Sequence, residues 1–158
     1  MVASCQGGSN IALSADPDRY LPERKDSLSC GQKKDTQDTL DPRILPIDRP
    51  VFVVTADGDL IPDPDACVAL GVPIADAKDA IAILGLSSPR LVKAREKVQR
   101  ALSAYDDWNP EQLEIAARQH LLPDAKGKLV PWFTTRRSYF GAIAEAILSA
   151  PPREWIGL

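Results

Sequence analysis

The chain holds one histidine, one methionine and three cysteines in 158 residues, and each scarcity removes a class of chemistry. Every histidine-based acid, base or metal role must pass through His120. Cys5, Cys30 and Cys67 are too widely spaced for paired zinc ligands and too few for a disulfide framework, so a reducing compartment, the cytoplasm, is the expected location. No run approaches the roughly 18 apolar residues that span a bilayer. Gly7-Gly8 lies away from any strand-to-helix junction, so it makes no phosphate-binding loop. A basic excess is missing too: 19 Lys+Arg against 22 Asp+Glu leave a net charge of -3, the wrong sign for a whole-chain nucleic-acid footprint. No cofactor and no metal are expected.

What is present is 44% hydrophobic, enough to bury a core. The charge is uneven. Residues 1–50 carry 7 basic and 8 acidic side chains, residues 51–79 carry 1 and 6, and residues 80–158 carry 11 and 8. An acidic segment thus precedes a mildly basic one. Residues 1–48 mix Gly, Ser, Asp, Pro, Lys and Gln without apolar periodicity, which predicts a flexible N-terminal arm. Within it, Ile44, Leu45 and Ile47 could dock on a partner, and "VASC", Val2 to Cys5, resembles the end of a lipoprotein signal without the apolar stretch that should precede it.

Residues 49–158 are expected to form one compact, mainly helical α+β domain, a short β-hairpin followed by four to five helices. In "PVFVVTADGDLIP", the β-branched run from Val51 to Thr55 and Leu60-Ile61 flank Asp57-Gly58, which suits a tight turn with positive backbone angles. Two strands alone are marginal in water, so the pair must pack on helices or recruit a further strand such as Lys128 to Phe133. Asp57, Asp59, Asp63 and Asp65 cluster, but Pro62 and Pro64 interrupt the loop and Gly58 comes too early for calcium; turns and capping account for all four.

Asp63, Pro64 and Gly71 bound a first short helix. A second is expected from a cap at Asp76 to a left-handed stop at Gly85, and a third from a cap at Ser88 toward Tyr105. Asn109, Pro110 and Gln112 form a reciprocal capping pattern for a fourth. The last helix, "RRSYFGAIAEAILSA", carries Phe140, Ile143, Ala144, Ile147 and Leu148 at the spacing of a buried stripe.

The second and third helices, Ala77 to Arg100, have the lengths and turn of a helix-turn-helix, and Arg90, Lys93, Lys97 and Arg100 share one face beside the apolar stripe, where they could contact phosphates of duplex DNA. Ile81 departs from the pattern, because the close helix crossing of that motif usually demands Ala or Gly. Arg136, Arg137 and Tyr139 form a second basic-aromatic group suited to a protein partner or single-stranded nucleic acid. Cys67 with His120 is the one conceivable catalytic pair, although Cys67 lies among apolar neighbours. No set of acid, base, nucleophile and cradle is visible. The resulting expectation is a small non-catalytic regulatory or adaptor protein that binds a protein partner, with a DNA-binding regulator and a Cys67/His120 enzyme as alternatives.

Overall fold

The computed structural model describes Leu40 and residues 50–150, in which a two-stranded antiparallel hairpin is followed by five α-helices. Apart from Leu40, the expected arm, with Cys5, Cys30, Gly7-Gly8 and Ile44 to Ile47, lies outside the described residues. Among the described residues, no helix is long and apolar enough to cross a membrane.

Strand β1 (Phe52–Val54) pairs with β2 (Leu60–Pro62), with Val53 opposite Ile61. The loop is a turn from Thr55 to Gly58 that ends on a left-handed residue, Gly58. Gly58 N–H donates to Thr55 O at 2.9 Å, and Thr55 N–H donates to Asp59 O at 2.8 Å. Only Gly58 has a positive φ (82°); Asp57 does not, which corrects the expectation of two positive angles. A three-residue loop of this kind needs a single left-handed position.

Helix α1 (Pro64–Leu70) starts at Asp63, whose carboxylate accepts from the amides of Asp65 (3.0 Å) and Ala66 (3.1 Å). Helix α2 (Ile74–Ile83) begins behind Pro73, not at Asp76; Asp76 lies in the first turn, where its charge favours the helix dipole. Its end matches the sequence reading: Gly85 is left-handed at φ 61°, and Leu86 N–H reaches back to Ile81 O at 2.9 Å. Helix α3 (Pro89–Leu102) follows with Ser88 in the cap position, but the Ser88 hydroxyl is buried and makes no capping bond. A 3₁₀ turn, Ser103–Tyr105, leads toward α4 (Pro110–Leu121), which has the expected reciprocal cap: Asn109 Oδ1 accepts from Gln112 N–H (3.0 Å) and Gln112 Oε1 from Asn109 N–H (3.2 Å).

Helix α5 (Phe133–Ser149) differs from the expected unbroken helix. It starts three residues before Arg136, and Gly141 (φ 50°, ψ -121°) breaks it in the middle. That backbone region is open to glycine and strained for other residues, so the break is written into one residue. Lys128 to Phe133 adds no strand; it leads into α5 through Trp132, the one non-glycine residue with positive φ among those described. The hairpin packs on helices instead, β1 on α5 and β2 on α2.

Two buried clusters result. The larger joins Leu102 of α3, Ala116, Ala117 and Leu121 of α4, and Phe140, Ala144, Ile147 and Leu148 of α5. Ala116, Ala117 and Ala144 let α4 and α5 approach closely, and Ile143 packs at the edge of the stripe. The smaller cluster is Val51, Cys67 and Ala77, flanked by Phe52, Leu70 and Val72.

Candidate functional site

Between the hairpin corner and α5 lies an open cleft of about 640 Å³. Phe52 and Val53 of β1, the cap Asp63, and Asp65, Ala66 and Leu70 of α1 form one side. Thr134, Arg137, Ser138, Gly141 and Glu145 of α5 form the other. Its volume lies within the range of roughly 300–1,000 Å³ common for ligand pockets.

The α5 side is built by Gly141. In an unbroken helix, eight residues would separate Arg137 from Glu145 by about 12 Å along the axis. With the chain broken at Gly141, the two meet as a fork: Arg137 Nε donates to Glu145 Oε1 at 2.7 Å and Nη2 to Oε2 at 2.6 Å. The Arg137 side chain is only 6% exposed, whereas Glu145 keeps an exposed side toward the cleft. A bidentate pair whose arginine is buried fixes the planes of both groups, so this wall is pre-shaped. The next residue after Arg137, Ser138, accepts through its hydroxyl from Val54 N–H at 2.9 Å and ties α5 to the outer edge of β1.

Arg95 anchors the hairpin from the other direction. It is 5% exposed, and its Nε donates to Gly58 O (2.7 Å) while Nη2 donates to Leu86 O (2.5 Å). Burial lowers its pKa, and Asp59 partly offsets that. Gly58 presses so closely on α3 that a Cβ there would run into the Val92 carbonyl and lie 2.8 Å from the Glu96 amide nitrogen. This arginine belongs to the basic run of α3, but its task is internal.

The other basic residues of α3 are distributed differently. Lys93, Lys97 and Arg100 are exposed and Arg90 is half-buried. Arg100 pairs with Glu96 at 2.5 Å. The two helices of the helix-turn-helix-like segment pack chiefly on different partners, α2 on β2 and α1, and α3 on α5.

The Arg136, Arg137 and Tyr139 group is drawn into the fold. Arg137 is buried, so it does not stand on an open basic-aromatic surface. Arg136 Nε donates to Pro131 O at 2.8 Å and its Nη1 donates to His120 Nδ1 at 2.6 Å. Tyr139 donates to Asp106 Oδ1 at 2.5 Å; burial, that bond and the carboxylate charge all push its pKa up.

His120 is equally committed. Arginine can only donate, so Nδ1 accepts and the ring is neutral, leaving Nε2–H to donate to Tyr105 Oη at 3.1 Å. Burial first, and the Arg136 charge second, lower its pKa. Cys67 is fully buried against Val51 and Ala77, and burial together with Asp63 raises its thiol pKa, so the less reactive protonated form is favoured. The structure therefore does not bring Cys67 and His120 together as a reactive pair: one is sealed in the small cluster, and the other spends both nitrogens on Tyr105 and Arg136. Among the described residues, no three His, Cys, Asp or Glu side chains converge as a metal site.

Phe52, Ser138, Gly141 and Glu145 were not singled out from the sequence as site residues. The one available signal was Gly141, a glycine inside a helical pattern, which can mark a break as well as a tolerated interior position. Fold and site together define a small helical body with a β-hairpin corner and a mixed polar and apolar cleft at their seam. No family model matches the chain, and no curated protein or solved structure matches it either.

Proposed function

We propose that this protein is a non-catalytic binding module of the regulatory or adaptor kind, which holds a segment of a partner protein in the cleft between β1, α1 and α5. The observation that carries the reading is the cleft wall itself: the Arg137–Glu145 fork, set by the break at Gly141, presents a fixed polar surface opposite the apolar Val53, Ala66 and Leu70. Pre-shaped concave surfaces with few fixed polar groups favour binding because little ordering remains to be done when the partner arrives. The residues with catalytic potential are committed to the interior, which supports binding over chemistry.

A phage-displayed random peptide library panned against the full chain tests this. Selected peptides should lose binding to Thr134→Trp, which fills the mouth of the cleft from an exposed position, and keep binding to Ile115→Asp on the exposed side of α4. Peptides indifferent to Thr134→Trp, or no selection at all, would count against the cleft. Duplex DNA remains the second reading, favoured by Lys93 and Lys97, which are exposed one turn apart on α3. Lys93→Ala/Lys97→Ala should then weaken DNA binding and flatten its salt dependence by roughly one unit per lost phosphate contact.

A further inference from the structure

The outer edge of β1 and the charge of the cleft say what kind of segment fits there. In an antiparallel pair, alternate residues turn their backbone groups toward the partner strand. Val51 O accepts from Asp63 N–H at 2.8 Å and Thr55 N–H donates to Asp59 O at 2.8 Å, so the odd-numbered residues face β2. Phe52 and Val54 therefore turn their N–H and C=O groups to the opposite edge. Val54 N–H is taken by Ser138, whereas Phe52 stands at the cleft with the pair of backbone groups that another strand would use. An edge of this kind is a template for strand addition.

The cleft is also acidic. Among the described residues that line it, Asp63, Asp65 and Glu145 are acidic and Arg137, the one cation, is paired with Glu145. Beside these carboxylates, Val53, Ala66 and Leu70 provide an apolar wall for the neighbouring side chain of an extended segment. Resting on the cleft reading above, we infer that the occupant is an extended peptide segment of a partner protein, aligned on the outer edge of β1 through Phe52, with a lysine or arginine side chain directed at Asp63, Asp65 and Glu145. Backbone pairing supplies register and the carboxylates supply selectivity, the usual division of labour in strand addition.

Three synthetic peptides test it against the full isotope-labelled chain by NMR titration: acetyl-Thr-Val-Lys-Val-Thr-amide, its glutamate counterpart, and the lysine peptide N-methylated on alternate backbone amides. The lysine peptide should shift the amide resonances of Phe52 and Glu145, with an affinity that weakens as salt is raised. The N-methylated form should bind about tenfold more weakly, as expected for a lost backbone hydrogen bond. The glutamate peptide should leave the cleft resonances in place. Equal binding of the lysine and glutamate peptides, or indifference to N-methylation, overturns the inference while leaving the cleft as a binding site. So does a failure of all three when library-selected peptides still depend on Thr134. If no peptide of either kind reaches the cleft, the inference and the function proposed above fall together.

Discussion

In the helical body, Leu102, Leu121, Phe140, Ile147 and Leu148 keep water out along three helices, whereas the hairpin corner buries smaller side chains, Val51, Cys67 and Ala77 in one cluster with Val54, Pro62 and Ala66 around it, beside its half-buried flanking residues. Burying one large apolar side chain contributes about 1.5–3 kcal/mol, so the body is dominated by area removed from water. The corner depends more on directional bonds: Arg95 to the carbonyls of Gly58 and Leu86, Val54 to Ser138, and Asp63 at the start of α1. Each such bond contributes about 0.5–1.5 kcal/mol net, and about 1.5–3 kcal/mol where one partner is charged. Parts held by few buried contacts open at lower free energy than the core, and binding surfaces are often drawn from them. The cleft lies along the seam between the two.

The contrast can be broken most severely from the body side. Ile147→Asp puts an uncompensated carboxylate into the larger cluster and should cost about 4 kcal/mol or more, a loss read as a collapse of the urea midpoint. A small change would mean that the α5 stripe is not the core. Next comes the staple. Arg95→Met should cost about 2–3 kcal/mol by leaving the buried Gly58 carbonyl and the half-buried Leu86 carbonyl without their donor, and limited proteolysis should show new cutting between Thr55 and Asp59 before α4 or α5 is touched.

Gly141→Ala sharpens the comparison at the seam. A Cβ there meets nothing within 4 Å, so the cost is backbone strain alone, on the order of 1–3 kcal/mol. The thermal midpoint should fall modestly while peptide selection on the cleft fails, because the Arg137–Glu145 wall is displaced. Unchanged selection would separate the wall from the break.

The smallest effect is a pH dependence in the body. His120 has its pKa held below the ordinary 6.5 by burial and by Arg136, so the unfolded chain takes up a proton that the folded chain refuses. Its contribution is complete above about pH 6.5 and is lost as pH falls through the lower folded value. Urea midpoints measured from pH 7 to pH 5 should decline in the wild type, and His120→Gln should reduce the part of that slope due to this residue.

Much of the architecture was legible because local chemistry and global packing agree. Gly58 and Gly85 carry the positive φ their turns require, Asn109 and Gln112 close their reciprocal cap, and the periodic residues Phe140, Ala144, Ile147 and Leu148 are buried together. The cleft was not legible, since its parts are distant in sequence and of ordinary types. Arg137 reads as a surface arginine until Gly141 breaks the helix and Glu145 comes within reach. Arg95, off the face that Arg90, Lys93, Lys97 and Arg100 share, reads as an ordinary helix arginine until the hairpin turn is placed against α3. Asp76 misled as a cap because a carboxylate is favourable anywhere in a first turn, and Pro73 had already fixed the start of α2.

Native-state hydrogen exchange on the full chain, at denaturant concentrations below the unfolding transition, measures both regions at once. The amides of Ala117, Leu121, Ala144 and Leu148 should exchange only through global unfolding, while Val53 and Thr55 in the hairpin exchange through a cheaper local opening that Arg95→Met makes cheaper still. A common free energy for all these amides, falling equally in both regions in Arg95→Met, would contradict that contrast.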